Sequence, residues 1–225
     1  MNWFEKLHET FIVDNRYMWM VEGLGNTLII TFGALLVGVV IGTLVAVAKY
    51  YAEGNRKLRI VSFLCDLYTT VIRGIPMTVL LLLFFFVLFV SARNGVPVAV
   101  AAFGINSGAY MAELIRSGIN AVDKGQMEAG RSLGMSRGQT MFKIILPQAV
   151  RYILPAIGNE FIALLKETSV AGYVTIVDLT RAGNLIRNNT HDALNPLLLV
   201  ALIYLTLVVL LTKLLAVAEK KLEKN

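Results

Sequence analysis

The sequence predicts an all-α membrane protein with five transmembrane helices, the N-terminus outside and the C-terminus inside. Three observations carry this. First, 56% of the 225 residues are hydrophobic and only 16% are charged, whereas an ordinary soluble domain is about a quarter charged. Second, the charge is missing in blocks. Leu24 to Ala48 is 25 residues without Asp, Glu, Lys, Arg or His, Gly74 to Ala92 is 19, Val96 to Ala112 is 17 and Ala193 to Thr212 is 20. About 20 apolar residues in a helix span the hydrocarbon core of a bilayer. Third, the basic residues fall on alternate connectors. Together these exclude a soluble globular enzyme. Spans and connectors use nearly the whole chain, so residues 1–225 read as a single transmembrane domain.

The first span runs from about Leu24 to Ala48. Gly38 and Gly42 within it are spaced as small residues that let helices approach closely. The second region, Ile60 to Val90, is about 46 Å long if fully helical. That is too long for one upright span and too short for two. Pro76 lacks an N–H and disfavours helical geometry at Ile75. The region therefore reads as one crossing in two pieces, broken around Arg73-Gly74-Ile75-Pro76. The third span covers about Val96 to Ala121. The fourth, about Pro147 to Val170, is the least apolar and carries Asn159, Glu160, Lys166 and Glu167. The fifth covers about Ala193 to Ala218.

Basic residues cluster on cytoplasmic loops of membrane proteins. With the N-terminus outside, segments 49–59, 116–151 and 213–225 are inside and hold fourteen of the 21 Lys and Arg residues. The outside segments hold six, Lys6, Arg16, Arg93, Lys166, Arg181 and Arg187, while Arg73 lies within the crossing. The net charge of +6 is thus a topology signal, and no nucleic-acid partner is expected. The acidic first twenty residues, with Glu5, Glu9 and Asp14, do not read as a cleaved signal; the first span is expected to serve as its own. The lone Cys65 rules out an intramolecular disulfide and a multi-cysteine metal site. His8 and His191 flank apolar runs, so no metal ligand set and no catalytic constellation is expected.

The connector from Val122 to Leu146 is far longer than a turn needs. It is helix-compatible on both sides of Gly134 and is expected to expose Met127, Leu133, Met135 and Met141 among charges. Exposed apolar side chains on a charged loop suggest a partner surface, against the plainer reading of a solvated loop. Its residues Glu128-Ala129-Gly130, then Gly134, then Ile144-Ile145-Leu146-Pro147, resemble the cytoplasmic signature loop of ATP-binding-cassette importer permeases. That signature is Glu-Ala-Ala, three residues, Gly, nine residues, Ile-x-Leu-Pro. Gly130 stands where the second alanine is usual. The stretch Asn106 to Glu113, together with Arg73 to Pro76, Lys166 to Ser169 and Asp178 to Thr180, is similar to the polar amino-acid uptake branch. One position departs: Leu80 stands where that branch often carries glutamine.

The resemblance implies a type I importer permease fold and a dimer formed with a second permease chain, the same or homologous. It implies a cytoplasmic ATPase dimer that carries ATP and Mg, and an extracytoplasmic amino-acid-binding protein that delivers a polar L-amino acid. No cofactor is implied for this chain, and it has no G-x-x-x-x-G-K-[ST] loop to cradle ATP phosphates. The loop 128–147 would couple the two machines. Glu128 would be the polar contact to the ATPase, beside Ala129 and Gly130. Leu133 and Met135 would be apolar knobs, and Gly134 would allow the turn between two short coupling helices. The setting implied is the cytoplasmic membrane of a prokaryote.

Glu160 sits near the middle of a span, where a charge costs roughly 2.5–3.5 kcal/mol on insertion scales and so faces a cavity or a partner. With Asn159 it is a candidate for the substrate's ammonium or a basic side chain; the plainer reading is a structural ion pair. Arg73 and Gly74, at the break, are candidates for the carboxylate end. Thr168 and Ser169 are candidate hydrogen-bond donors. Glu113 and Arg116 read as a local i, i+3 ion pair, Asp66 as structural, Asn26 and Thr31 as helix-contact groups, and Phe84 to Phe86 as lipid-facing packing. The alternative function is an autonomous ion-coupled secondary transporter. That class often shows repeated halves and paired broken helices; here there is one broken region and no repeat.

Overall fold

The computed structural model describes residues 2–223. Met1, Lys224 and Asn225 lie outside them, Lys224 being one of the C-terminal basic residues counted above. The described residues are nearly all helical and contain no strand.

Helix α1, Trp3–Phe11, starts at a reciprocal cap: Glu5 N–H donates to Asn2 Oδ1 (3.1 Å) and Asn2 N–H to the Glu5 carboxylate (2.9 Å). The chain then kinks through Asp14 and Asn15, both at positive φ. There the buried Arg16 donates to the Glu9 carbonyl (2.7 Å) and the Asp14 carboxylate (2.6 Å). Helix α2, Tyr17–Ala52, is one continuous helix of 36 residues. Helix α3, Arg59–Gly74, and α4, Met77–Leu83, flank the expected break, where Pro76 has an extended ψ of 135°. Helix α5 is Gly95–Asn120. Two short helices follow, α6, Gly125–Ser132, and α7, Arg137–Thr140. A wide π-type turn over Met141–Ile145 leads directly into α8, Leu146–Glu167. Pro147, at the second position of α8, has no N–H to donate back into that turn. Helix α9 is Leu179–Thr190 and α10 is Leu194–Glu223.

Among the described residues, three helical stretches are long and apolar enough to cross a membrane: Val13–Ala52, Gly95–Asn120 and Leu194–Lys221. A fourth is added if the bent pair Arg56–Gly74 and Met77–Leu88 counts as one broken span. The expected fourth span, α8, is long enough but is not among them; its polar and charged residues hold its hydropathy down.

The chain groups into two compact units of three segments each. One comprises Met1–Val37, Ile75–Gly104 and Ile162–Leu211. Its core is Met20, Leu179, Ala182, Ile186 and Val200, with Phe11, Leu24 and Tyr204 packed on it. Helix α2 meets α9 at close range because Gly23 leaves room: a Cβ there would lie 2.7 Å from the Asp178 carbonyl. The contact is sealed by Leu179 N–H donating to Thr27 Oγ1 (3.0 Å) and Asn26 donating to the Val177 carbonyl (2.9 Å). Asn26 is thus the helix-contact group expected. Thr31, which donates within α2 to the Thr27 carbonyl (2.7 Å), is a local structural group. Buried Asp192 ties α1 down, accepting from Thr10 (3.1 Å) and Asn195 (2.6 Å), with Lys6 3.5 Å away. The Phe84 to Phe86 run divides: Phe86 is exposed, as lipid-facing packing requires, but Phe84 turns inward and is buried.

The other unit comprises Gly38–Gly74, Ile105–Phe161 and Thr212–Asn225. Here Gly38 and Gly42 meet α5. A Cβ on Gly38 would lie 2.8 Å from Ser107 Oγ, and one on Gly42 would overlap Met111. Helix α3 packs on the same helix through Tyr68, whose hydroxyl donates to the Ile105 carbonyl (2.6 Å). Asp66 pairs with Lys49, a structural tie between α3 and α2 as expected. A second core, Val122, Met141, Ile145, Ala149 and Ile153, supports the α6–α7 loop.

Candidate functional site

The loop 122–147 is built from its own backbone. Helix α6 ends at Leu133, and Gly134 follows at φ +82°. Two hydrogen bonds close this end, Gly134 N–H to the Arg131 carbonyl (3.0 Å) and Met135 N–H to the Gly130 carbonyl (3.1 Å). This is the paired 5→2 and 6→1 closure that a left-handed residue allows. Arg131 adds a bond to the Met135 carbonyl (2.9 Å). The next helix begins one residue later with a reciprocal cap: Gln139 N–H donates to Ser136 Oγ (3.2 Å) and Ser136 N–H to the Gln139 side chain (2.8 Å). The two short helices pack closely. Gly130 is buried, and a methyl there would overlap the Thr140 side chain. The departure from the usual alanine therefore has a steric reason in this chain.

Glu128 and Ala129 are exposed on α6. Leu133 is 81% exposed, projecting from the turn, and Phe142 is 61% exposed beyond it. One expected knob and one residue expected at the surface behave differently. Met135 is half-buried, and Met141, expected to be exposed, is buried. The π-type turn aims Met141 into the Val122–Ile145 core, against which Met127 also packs. Sequence reasoning missed Phe142; in a loop, apolar residues give no period from which to tell the inward face. Arg137 lies over the Tyr50 ring, 5.0 Å from its centroid, which fastens α7 to α2. A cavity of about 360 Å³ runs beside this joint, lined by Glu53, Asp123, Lys124, Glu128 and Arg137 among others.

At the break, Arg73 and Gly74 are exposed at the end of α3. Arg73 lies over the Tyr110 ring at 5.2 Å and its guanidinium is 3.9 Å from the Glu113 carboxylate. Glu113 also accepts from Arg116 at 2.7 Å, the local pair expected from spacing. One carboxylate thus faces two guanidinium groups. The adjoining cavity, lined by Lys49, Glu53, Glu113 and Arg116, is only about 50 Å³. That suits a few water molecules rather than an amino acid.

On α8, Asn159 is exposed and Glu160 half-buried. Thr168 is buried and donates to the Leu165 carbonyl (2.7 Å), so its hydroxyl is used locally. Ser169 is half-buried and lines an open pocket with Arg181. The structure therefore brings the candidate coupling residues together at one turn, and Arg73 and Gly74 at one break. Thr168 and Ser169 belong to the other compact unit. Among the described residues no cluster of His, Cys, Asp and Glu is disposed to hold a metal.

Residues 38–224 match the family described as binding-protein-dependent transport system inner membrane component. The arginine transport system permease protein ArtQ of Bacillus subtilis is 36% identical over 218 residues, 92% of this chain and 94% of the relative. A putative glutamine transport system permease protein, GlnP of Rickettsia bellii, is 37% identical over 210 residues, 92% and 94% of the two chains. Among solved structures, an amino acid ABC transporter crystallised with histidines superposes with a TM-score of 0.84 at 38% identity, covering 94% of this chain and 98% of that one. The inward-facing MetNI methionine ABC transporter gives 0.79 at 23% identity, covering 92% and 97%, and shares the fold.

Proposed function

The chain belongs to the family of binding-protein-dependent transport system inner membrane components, and from that membership we infer that it is the membrane-spanning subunit of an ATP-driven importer for a polar L-amino acid. It is not an enzyme by itself; ATP hydrolysis belongs to a partner subunit, and the chain resides in the cytoplasmic membrane. The relatives named for arginine and glutamine support an amino-acid substrate.

The observation that carries the coupling assignment is the α6–α7 turn. A helix of eight residues ends in a fully hydrogen-bonded glycine turn that holds Leu133 out, with Glu128 exposed on the preceding helix. An apolar knob beside a carboxylate on a rigid turn fits a groove in a partner protein. In this reading the groove belongs to a cytoplasmic ATPase dimer carrying ATP and Mg. Ala129 and Gly130 let α6 lie close, and Met135 backs the turn. A second permease chain completes the dimer, and an extracytoplasmic binding protein delivers substrate. Five crossings follow, with the N-terminus outside and the C-terminus inside, α8 being the fourth and the pair around Pro76 the second. Residues 1–225 are read as one permease domain. Glu160 and Asn159, with Arg73 and Gly74, remain the proposed substrate contacts, and Thr168 and Ser169 the proposed donors.

Native mass spectrometry of the chain, co-expressed with its genomic neighbours and purified in mild detergent, tests this. Two membrane chains with two ATPase copies are expected, and the mass distinguishes a homodimer from a heterodimer. A chain that never retains an ATPase, yet drives uptake in vesicles, would overturn the reading.

A further inference from the structure

Between the end of α8 and the start of α9 lies an open pocket of about 430 Å³. Ser169, Gly172, Tyr173, Thr180, Arg181 and Asn184 line it. That volume falls within the range of small-molecule sites, about 300–1,000 Å³. Arg181 is the one charged residue among those lining it. Its guanidinium is braced, with Nη1 donating to the Gly172 carbonyl at 2.7 Å. Its backbone N–H donates to the Asp178 carboxylate at 3.2 Å, which fixes where α9 starts and hence where the side chain begins. Asp178, three residues earlier, is fully buried and caps the Thr180 and Arg181 N–H groups, so it is not spent on the guanidinium. Around the cation stand small polar groups, Ser169, Thr180 and Asn184, with Tyr173 at the rim, 71% exposed.

We propose that this pocket is a carboxylate-binding station for the substrate, in which Arg181 takes the α-carboxylate and Ser169, Thr180 and Asn184 supply further hydrogen bonds. The planar guanidinium fork matches a carboxylate, and a fork already braced loses less freedom on binding. The pocket lies on the segment between the fourth and fifth spans, which the basic-residue count places outside, where substrate arrives. The proposal rests on the reading of the chain as an amino-acid importer permease. A pocket of about 430 Å³ has room for a whole free amino acid, whereas an acidic side chain on a docking protein would fill only part of it.

The assembled complex in lipid nanodiscs and proteoliposomes, with saturating binding protein, tests this. The wild type is first assayed for uptake of each of the common L-amino acids. If none is taken up, the importer reading itself fails. For the amino acid that is taken up, Arg181→Gln is expected to lower the maximal uptake rate about tenfold or more, the usual scale for a lost charge-assisted hydrogen bond. Arg181→Lys is expected to recover part of the rate. Calorimetry on the complex without binding protein is expected to show that wild type prefers the amino acid over its α-carboxamide. Arg181→Gln is expected to lose that preference. Asn184→Ala, which leaves the brace to Gly172 intact, reports on the same pocket if Arg181→Gln fails to assemble, and a severalfold loss is expected. Equal binding of acid and carboxamide by wild type overturns the proposal. So does unchanged uptake in both variants, or a loss of affinity for the binding protein with the saturated rate unchanged, which would make Arg181 a docking residue.

Discussion

Glu128 sits on the first turn of α6 with its carboxylate in solvent, and its own carbonyl accepts from Ser132 (3.0 Å). Among the described residues its carboxylate enters no ion pair or side-chain hydrogen bond, so its charge is available to a partner. Glu128→Lys is therefore expected to leave insertion and thermal stability unchanged within about 0.5 kcal/mol, as for a surface substitution. Substrate-stimulated ATP hydrolysis in the reconstituted complex is expected to disappear. Normal stimulation in that variant would sink the coupling role. Asp178 presents the opposite case. It is fully buried at the start of α9, and burial pushes its carboxyl above the ordinary 3.8 even though Thr180 and Arg181 donate to it. A carboxyl raised on folding contributes stability that is complete below pH 3.8 and is lost as pH climbs through the raised value. Asn caps a helix as well as Asp and does not titrate. Asp178→Asn is expected to match wild type in acid and to unfold at higher temperature at neutral pH, followed by tryptophan fluorescence in detergent. Asp178→Ala, which loses the cap, costs about 1 kcal/mol throughout. An Asp178→Asn variant less stable than wild type at neutral pH would show that the capping bonds outweigh burial.

At the scale of elements, the helix–helix contacts turn on small residues. Gly38 and Gly42 of α2 face Ser107, Gly108 and Met111 of α5 without space for a side chain. The sequence offered the spacing, and the structure shows the contact. Gly42→Ile is expected to destabilise the permease by about 1–3 kcal/mol, the range for overpacking, whereas Val40→Ile, at a position 59% exposed, is expected to be silent. Urea or thermal denaturation of the two variants in one detergent separates them; equal stability would mean that the helices do not meet there. The α6–α7 loop follows a different logic. Its two short helices have too few turns to be stable alone, and their shape comes from the Gly134 turn, the Ser136–Gln139 cap and the Met141 core beneath.

For the whole molecule, the decisive quantity is how many times the chain crosses. Hydropathy singles out three helical stretches, or four with the bent pair, whereas five crossings are needed to put the basic loops on one side. In the proposed topology α8 would supply the fifth crossing, and a helix that faces a cavity or a partner can carry Asn159, Glu160, Lys166 and Glu167. With Cys65→Ser as background, Glu5→Cys is expected to react with a membrane-impermeant maleimide in intact spheroplasts. Lys220→Cys is expected to react only after permeabilisation. Both reacting from the same side would overturn the five-span topology. The α10 window is only 6% buried against 61% for α5, so α10 offers its surface to lipid or to a second permease chain.

The sequence by itself determined the membrane class, the break at Pro76, the local Glu113–Arg116 pair and the Gly134 turn of the α6–α7 loop. Each is set by composition or by residues a few positions apart, so short-range physics decides it. Only the tertiary structure decided that Met141 turns inward while Phe142 stays out. It alone placed Arg73 between Tyr110 and Glu113, showed that Gly130 has no room for a methyl beside Thr140, and set Arg181 in a pocket with Ser169. Those outcomes depend on which face of a helix meets a segment far away in the chain, and on how closely two backbones approach. In uniformly apolar helices no alternation marks the inward face, so packing had to choose it.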